Sequence, residues 1–417
     1  MVLHITWITY STIQYFTTQT ISIPSLLSNY WHLFVAEKEK KIVNPIRART
    51  YQCIQDTMKC KTWKLWYFTY FCESCKETKL VFRTCKRRCC STCSKPLADK
   101  RINRVREWLP LQISYYHITR TLPEELRDFR LRFRSHKALS EIFNQAHSII
   151  LRFFEQRFWC VPWVFSIIHT FGSYINRNPH LHMIVTIWGL DSENKRRDIG
   201  NEFTCFKAIA SQWRAMILKA CRTLTSSIYG KELSERKAIF QKAFNKKSRY
   251  VQFSEPIIDV QKIMGYMTRY MYRAPVAVSK IVSSNLIPWD AHKSTLTLEY
   301  FHKKPRERRT ITYSVFDFIG LLARHIPDKY FRIVRYSGLF SHKKRKQSIK
   351  AINEIFPPIQ ELHTMTKRPT NYRDRLIQSF RKDPMNCPCC RWVLTLVSLT
   401  FFSKKSHCFI TKLIDTS

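Results

Sequence analysis

Four cysteines fall as Cys72-x2-Cys75 and Cys90-x2-Cys93, with fourteen residues between the two pairs. A two-residue gap lets both thiolates of a pair face one side of a metal, and two such knuckles close a tetrahedral site with no open position. That is the chemistry of a structural zinc ion. Arg83, Lys86, Arg87 and Arg88 lie between the pairs, where they would favour thiolates and face phosphates. Cys60, Cys85 and Cys89 are near enough in sequence to be alternative ligands or members of a second site. Cys387-x2-Cys390 is a further knuckle, alone near the end of the chain.

Two other constellations have reactive potential. In NPHLHMIVTIW, His180 and His182 are two residues apart in an apolar, β-branched run. On a strand both imidazoles face the same way, while Leu181, Met183 and Val185 face a core. Two imidazoles on a stiff strand hold a divalent cation against a phosphate if a third ligand arrives from elsewhere. In KIMGYMTRYMYRAP, Ile263, Met264, Met267 and Met271 make an apolar stripe at helical spacing, in a helix expected to stop before Pro275. Tyr266 and Tyr270 stand four residues apart beside it, flanked by Arg269 and Arg273. A phenol oxygen attacks a phosphodiester when a metal polarises the phosphoryl group and cations assist ionisation.

The elements that must position these groups follow from the apolar pattern. LQISYYHITRTLP, WVFSIIHTFGSY and PHLHMIVTIWG read as strands, and Glu141–Gln156 and Phe206–Leu224 as helices. Alternation of this kind fits an α/β or an α+β domain. Lys303–Arg309 and His342–Lys346 are basic runs of the sort that form solvated loops. The chain carries 71 Lys+Arg against 30 Asp+Glu, a net charge of +41, so its partner is expected to be a polyanion, nucleic acid first among them. At 45% hydrophobic residues it can fill a core, which excludes wholesale disorder. The apolar start is too interrupted for a signal peptide or a spanning helix, and the run Trp392–Phe402 is too short to cross a bilayer. A soluble, intracellular protein without a membrane partner is expected, its cysteines metal ligands or buried thiols rather than disulfides.

Taken in order, these blocks resemble the two-tyrosine transposases of rolling-circle insertion sequences, the insertion-sequence-91 group of the HUH endonucleases. CESC…TCKRRCCSTC resembles the family's zinc-binding signature C-x-x-R-x-C-P-x-C, with Cys85, Arg88, Cys90 and Cys93 in place and Ser91 at the proline. YYHITRTLPEEL resembles the first nuclease strand, IIHTFGSYINRNPHLHMIVT the H-T-W-G…H-P-H-x-H block, and YMTRYMYRAPVAVSKI the nucleophile helix. HIPDKYFRIVRYSGLFS and DPMNCPCC resemble the last two blocks.

The resemblance implies an α+β fold. A nuclease domain with a central antiparallel sheet flanked by helices would occupy 109–346, after an extension at 1–29 and a zinc-binding domain at 30–108. A linker and tail with the second knuckle would fill 347–417. It implies that His180 and His182 bind Mg²⁺ or Mn²⁺, that Tyr266 or Tyr270 attacks to leave a 5′-phosphotyrosine, and that Arg88, Arg120, Arg269 and Arg273 contact DNA. The substrate would be single-stranded and element-end DNA, no nucleotide cofactor would be needed, and the protein would work in a bacterial cytoplasm, on the nucleoid. A rolling-circle replication initiator, or a non-catalytic zinc-dependent DNA-binding protein derived from such an enzyme, is the alternative. Departures are Asn178 for the first histidine of H-P-H-x-H, Trp188-Gly189 for a Gly-Gly pair, and only seven glycines in all, so tight turns are expected to use Asn, Asp and Ser.

Overall fold

In the computed structural model, residues 22–40, 48–106, 113–122, 136–199, 206–226, 251–258, 274–303, 305–327, 329–355, 371–381, 383–403 and 405–414 are described, with a few isolated positions between 238 and 265. In chain order the elements begin with α1 (Ile23–Lys40), α2 (Ala48–Met58), β1 (Tyr67–Phe71), β2 (Thr78–Phe82), α3 (Ser91–Arg106) and β3 (Tyr115–Thr121). Next come α4 (His136–Phe158), β4 (Val161–Phe171), β5 (Arg177–Leu190), β6 (Arg196–Asp198), α5 (Phe206–Ser226), β7 (Val251–Phe253) and β8 (Ile281–Asn285). The chain continues through β9 (Thr295–Lys303), β10 (Arg306–Ser314), α6 (Val315–Arg324), β11 (Val334–Gly338), α7 (Arg345–Ile355) and α8 (Tyr372–Phe380) to the hairpin β12 (Thr395–Ser403) and β13 (Cys408–Leu413).

The central sheet runs β11-β4-β5-β3-β7, every neighbouring pair antiparallel, with β6 paired to β5. Helices cover both of its faces, an α+β arrangement. On one face, α4 presents Ile142, Phe143, Ala146, Ile149, Ile150 and Phe154, spaced by three and four, and α5 adds Ile209, Trp213 and Ile217. They bury Leu181, Met183 and Val185 of β5. Each large apolar side chain so buried stabilises by about 1.5–3 kcal/mol, so packing, more than propensity, holds α4. On the opposite face, Ile102 and Val105 of α3 and Ile352 of α7 pack with Ile167, Ile184 and Trp188.

Two smaller sheets flank this one. β10-β9-β8 joins α1, α2 and α6 in a second core around Trp31, Phe34, Leu298 and Phe318. α6 starts where the Ser314 hydroxyl accepts from the Asp317 N–H, an N-cap that satisfies an otherwise unpaired donor. The third sheet, β13-β12-β1-β2, joins the hairpin that follows α2 to the last described strands. The apolar run at Trp392–Phe402 is largely β12, and it pairs with β1. Of the basic run, Lys303 ends β9 and Arg306–Arg309 open β10, so the solvated loop expected there extends into strand. No helix among the described residues is long and apolar enough to cross a membrane.

Candidate metal centres

Strand register builds the first centre. In antiparallel strands, directly paired residues share a face, and β5 pairs His180 with His169 of β4 and His182 with Thr119 of β3. His169, His180 and His182 therefore converge on the α3–α7 face, with one ring nitrogen from each within 4.8 Å of the others. Their rings meet edge to face, with centroids 4.7 to 5.4 Å apart. The sequence supplied the His180–His182 pair but not His169. The signal was present, because WVFSIIHTFGSY puts His169 near the end of an adjacent strand.

The donor set suits a divalent cation. His180 Nδ1–H donates to the Asn178 carbonyl at 2.6 Å, which fixes the tautomer and turns the Nε2 lone pair outward. His182 Nδ1 lies 3.1 Å from Nε2 of His117, and the Thr119 hydroxyl lies within 3.4 Å of both rings. Burial pulls His117 down to about 4, so it stays neutral and is able to accept. His325, at the end of α6, bonds the Thr170 hydroxyl and the Ile175 carbonyl, both at 2.9 Å, and so holds the turn beyond His169. Burial first, then the charges of Arg324, Arg88 and Arg177, lower its pKa to about 4.

Arg120 corrects an expectation. It pairs with Leu181, so it faces the α4–α5 side of the sheet, opposite the histidines. It is 0% exposed, with its guanidinium 5.1 Å from the Trp213 ring. From there it cannot reach a DNA backbone: one step along a strand reverses the face. Arg88 is half-buried on the segment between Cys85 and Cys90. Tyr266, Tyr270, Arg269 and Arg273 lie outside the described residues. Ile263, just before them, is fully buried among Ile167 and Ile184 on the histidine face.

The cysteines form two centres, which corrects the single Cys72–Cys75–Cys90–Cys93 site. Cys60, Cys85, Cys90 and Cys93 gather in one, and Cys72, Cys75, Cys387 and Cys390 in the other. Sulfur–sulfur distances are 3.6 Å in the first and 3.4 to 3.5 Å in the second. These are far beyond a disulfide and close to the edge of about 3.8 Å that a tetrahedron with Zn–S near 2.3 Å demands. The structure separates the two knuckles because Cys72-x2-Cys75 is the turn of the β1–β2 hairpin, and β1 pairs with β12 just beyond Cys390. Cys90-x2-Cys93 instead opens α3, beside Cys60 at the end of α2. Cys89 turns away to Cys53, 3.0 Å distant, and joins neither set. The Trp392 backbone N–H is the first cause of a Cys390 thiol pulled down to about 6.

The paired knuckles are alike in detail. Lys76 N–H bonds the Cys72 carbonyl at 2.8 Å and Arg391 N–H the Cys387 carbonyl at 3.0 Å, and both residues are left-handed. Lys79 Nζ then binds the carbonyls of Pro384 and Asn386, tying the second knuckle to β2. These four-thiol sets support structural Zn²⁺.

Comparison with known proteins agrees with this architecture. Residues 26–122 match a family described as "Transposase zinc-binding domain", and residues 164–348 one described as "Putative transposase". The transposase for insertion sequence element IS801 of Pseudomonas savastanoi pv. phaseolicola is 23% identical over 81% of this chain and 81% of its own length. "Putative transposase y4qJ" of Sinorhizobium fredii is 20% identical over 79% of this chain and 84% of its own. No solved structure matches. The two matches cover the cysteine centre at Cys60–Cys93 and the histidine sheet in the order the motifs require, and the chain belongs to the insertion-sequence-91 family of transposases, with that family's N-terminal zinc-binding domain.

Proposed function

We propose that this transposase nicks and rejoins single-stranded DNA at the ends of its element through a 5′-phosphotyrosine, as rolling-circle transposition requires. The observation that carries the reading is the convergence of three histidines on the sheet face where Ile263 is buried. Mg²⁺ or Mn²⁺ held by His169, His180 and His182 would polarise and orient the scissile phosphate, with imidazole favouring Mn²⁺.

The protein's own groups do the rest. His182 Nδ1–H donating to His117 leaves a lone pair on Nε2, as the Asn178 carbonyl does for His180. Tyr266 or Tyr270 attacks phosphorus. The new bond joins the phenol oxygen to phosphorus, and the bond from phosphorus to the 3′ oxygen breaks, leaving a free 3′-hydroxyl. Arg269 and Arg273 neutralise phosphate oxygens and favour the phenolate. The second tyrosine permits a second cleavage before the first end is released. Attack by a 3′-hydroxyl reverses the step, so no nucleotide is consumed. The zinc-binding domain, with Arg88, holds the DNA of the element ends in the bacterial cytoplasm.

The test mixes purified protein, Mn²⁺ and labelled single strands from the gene's flanks, followed by a denaturing gel. A protein–DNA band is expected that disappears in the Tyr266→Phe/Tyr270→Phe double variant and in His180→Ala. Tight binding without an adduct would instead indicate a DNA-binding derivative, and nicking confined to a replication origin an initiator.

A further inference from the structure

A cavity of about 230 Å³ lies where the zinc-binding domain meets the segment after α6. Its wall carries five cations, Arg49, Lys86, Arg87, Arg88 and Arg101, and among the described residues no carboxylate lines it. Three of them come from the short segment between the zinc ligands Cys85 and Cys90, where the metal site fixes the backbone. Arg87 is paired to Asp56 outside the cavity and is thereby held in place. His325 and Tyr330 line it too.

Tyr330 has two uncommon properties. It is 85% exposed, and its φ is +67°, a left-handed conformation that an aromatic residue seldom adopts. The Lys329 ammonium lies 4.9 Å from its ring centroid. His325 links the cavity to the nuclease centre through Thr170, the neighbour of His169. A space this small is below the roughly 300–1,000 Å³ of a site for a drug-sized ligand. It suits a phosphate group, and it does not suit a nucleotide cofactor or a duplex.

We infer that this cavity grips one backbone phosphate of single-stranded DNA and that Tyr330 stacks the adjoining base, a subsite that leads the strand from the zinc-binding domain to the histidine face. The inference rests on the reading of the protein as a single-strand nuclease. Cations that track the backbone beside an aromatic platform are the general means of binding unpaired strands. A duplex has no free base face to offer Tyr330.

Fluorescence anisotropy with a labelled single strand, without divalent metal and over a range of salt, tests the inference. Tyr330→Gly suits the left-handed backbone and should weaken single-strand binding roughly 5- to 100-fold while leaving a duplex of equal length unaffected. Tyr330→Trp should restore it. Arg49→Gln should lower the slope of log affinity against log salt by about 0.7, the value for one phosphate contact on a single strand. Unchanged zinc content and urea midpoint would show that the variants fold. Wild-type affinity and slope in both variants would overturn the subsite. So would an effect of Tyr330→Gly on duplex equal to that on single strands. Competition by inorganic phosphate at matched ionic strength, with Tyr330→Gly silent, would make the cavity a site for free phosphate and also overturn it. Because no metal is present, a protein that forms no covalent adduct yet loses strand binding in Tyr330→Gly would keep the subsite and lose the nuclease.

Discussion

His117 stands behind His182, and the distance of 3.1 Å between their ring nitrogens makes the second ring the orienting partner of the first. A ligand imidazole without such a partner is free to rotate, and loss of one typically costs 10- to 100-fold in metal affinity. His117→Ala should therefore weaken Mn²⁺ binding by roughly that factor, read by the free Mn²⁺ signal in electron paramagnetic resonance. Unchanged affinity would remove His117 from the centre. On the other face of the sheet, His147 lies 2.5 Å from the Ser166 hydroxyl. Burial first, then Arg120 and Arg335, lower its pKa to about 3. The unfolded chain takes up a proton below its ordinary value of 6.5, which the folded state refuses. Stability is thus full above pH 6.5 and falls as pH drops towards 3, by about 2 kcal/mol at pH 5 from this group. His147→Gln should lose less stability than wild type between pH 7.5 and 5 in urea melts. An equal loss would assign the acid sensitivity to other groups. Period-two spacing made His180 and His182 legible. The partners His169 and His117 sit on neighbouring strands, and only register brings them in. Arg120 shows the same limit, since its charge was readable and its side of the sheet was not.

Helices α4 and α5 and strands β3, β4 and β5 were legible because long apolar patterns bind them to one core. The turns were legible in part. With few glycines, Asn, Asp and Ser were expected at tight turns, and Asp191 does accept from the Glu193 and Lys195 N–H groups, Asp290 from Lys293 and Ser403 from Ser406. Yet the left-handed positions among the described residues are held by Lys61, Lys76, Lys86, Arg381, Arg391 and several aromatic residues as well as by Asn194. A left-handed residue with a Cβ costs about 1–2 kcal/mol, an amount that packing and metal ligation outweigh, so local propensity gives no warning of it. Arg381 is a clear instance. It closes α8 in the left-handed cap position, its N–H bonded to the Ile377 carbonyl at 2.8 Å. This is the position that glycine favours after a helix. Arg381→Gly should stabilise the protein by about 1 kcal/mol, measured as a shift in urea midpoint with unchanged slope. A destabilised variant would mean that the arginine side chain contributes more than its backbone costs.

At the scale of the whole molecule, the β1–β2 hairpin and the last knuckle are joined in a four-cysteine centre that the sequence could not reveal. Cys72 and Cys390 are 318 positions apart, and their sulfurs are 3.4 Å apart. Read linearly, Cys72-x2-Cys75 had a nearer partner in Cys90-x2-Cys93. What decides the pairing is a sheet, because β1 is flanked by β2 on one side and by β12 on the other. Few buried side chains back this sheet. The cluster beneath it contains only Tyr70, Cys72, Cys387 and Leu394 as fully buried members among the described residues. Such a core offers little burial energy, while a structural zinc ion contributes apparent binding free energies of about 10–16 kcal/mol. The metal should therefore hold the terminal sheet together. Native mass spectrometry of the full chain should find two zinc ions per molecule, and Cys387→Ser/Cys390→Ser should retain one. That variant should also release its C-terminal hairpin from β1, with amide exchange across β12 and β13 rising to the rate of an open strand. Exchange across β3, β4 and β5 should stay slow, since their core does not depend on this ion. If the variant kept both ions, the two knuckles would not share a site. If it lost one ion but kept the hairpin protected, strand pairing alone would be enough to join the two hairpins.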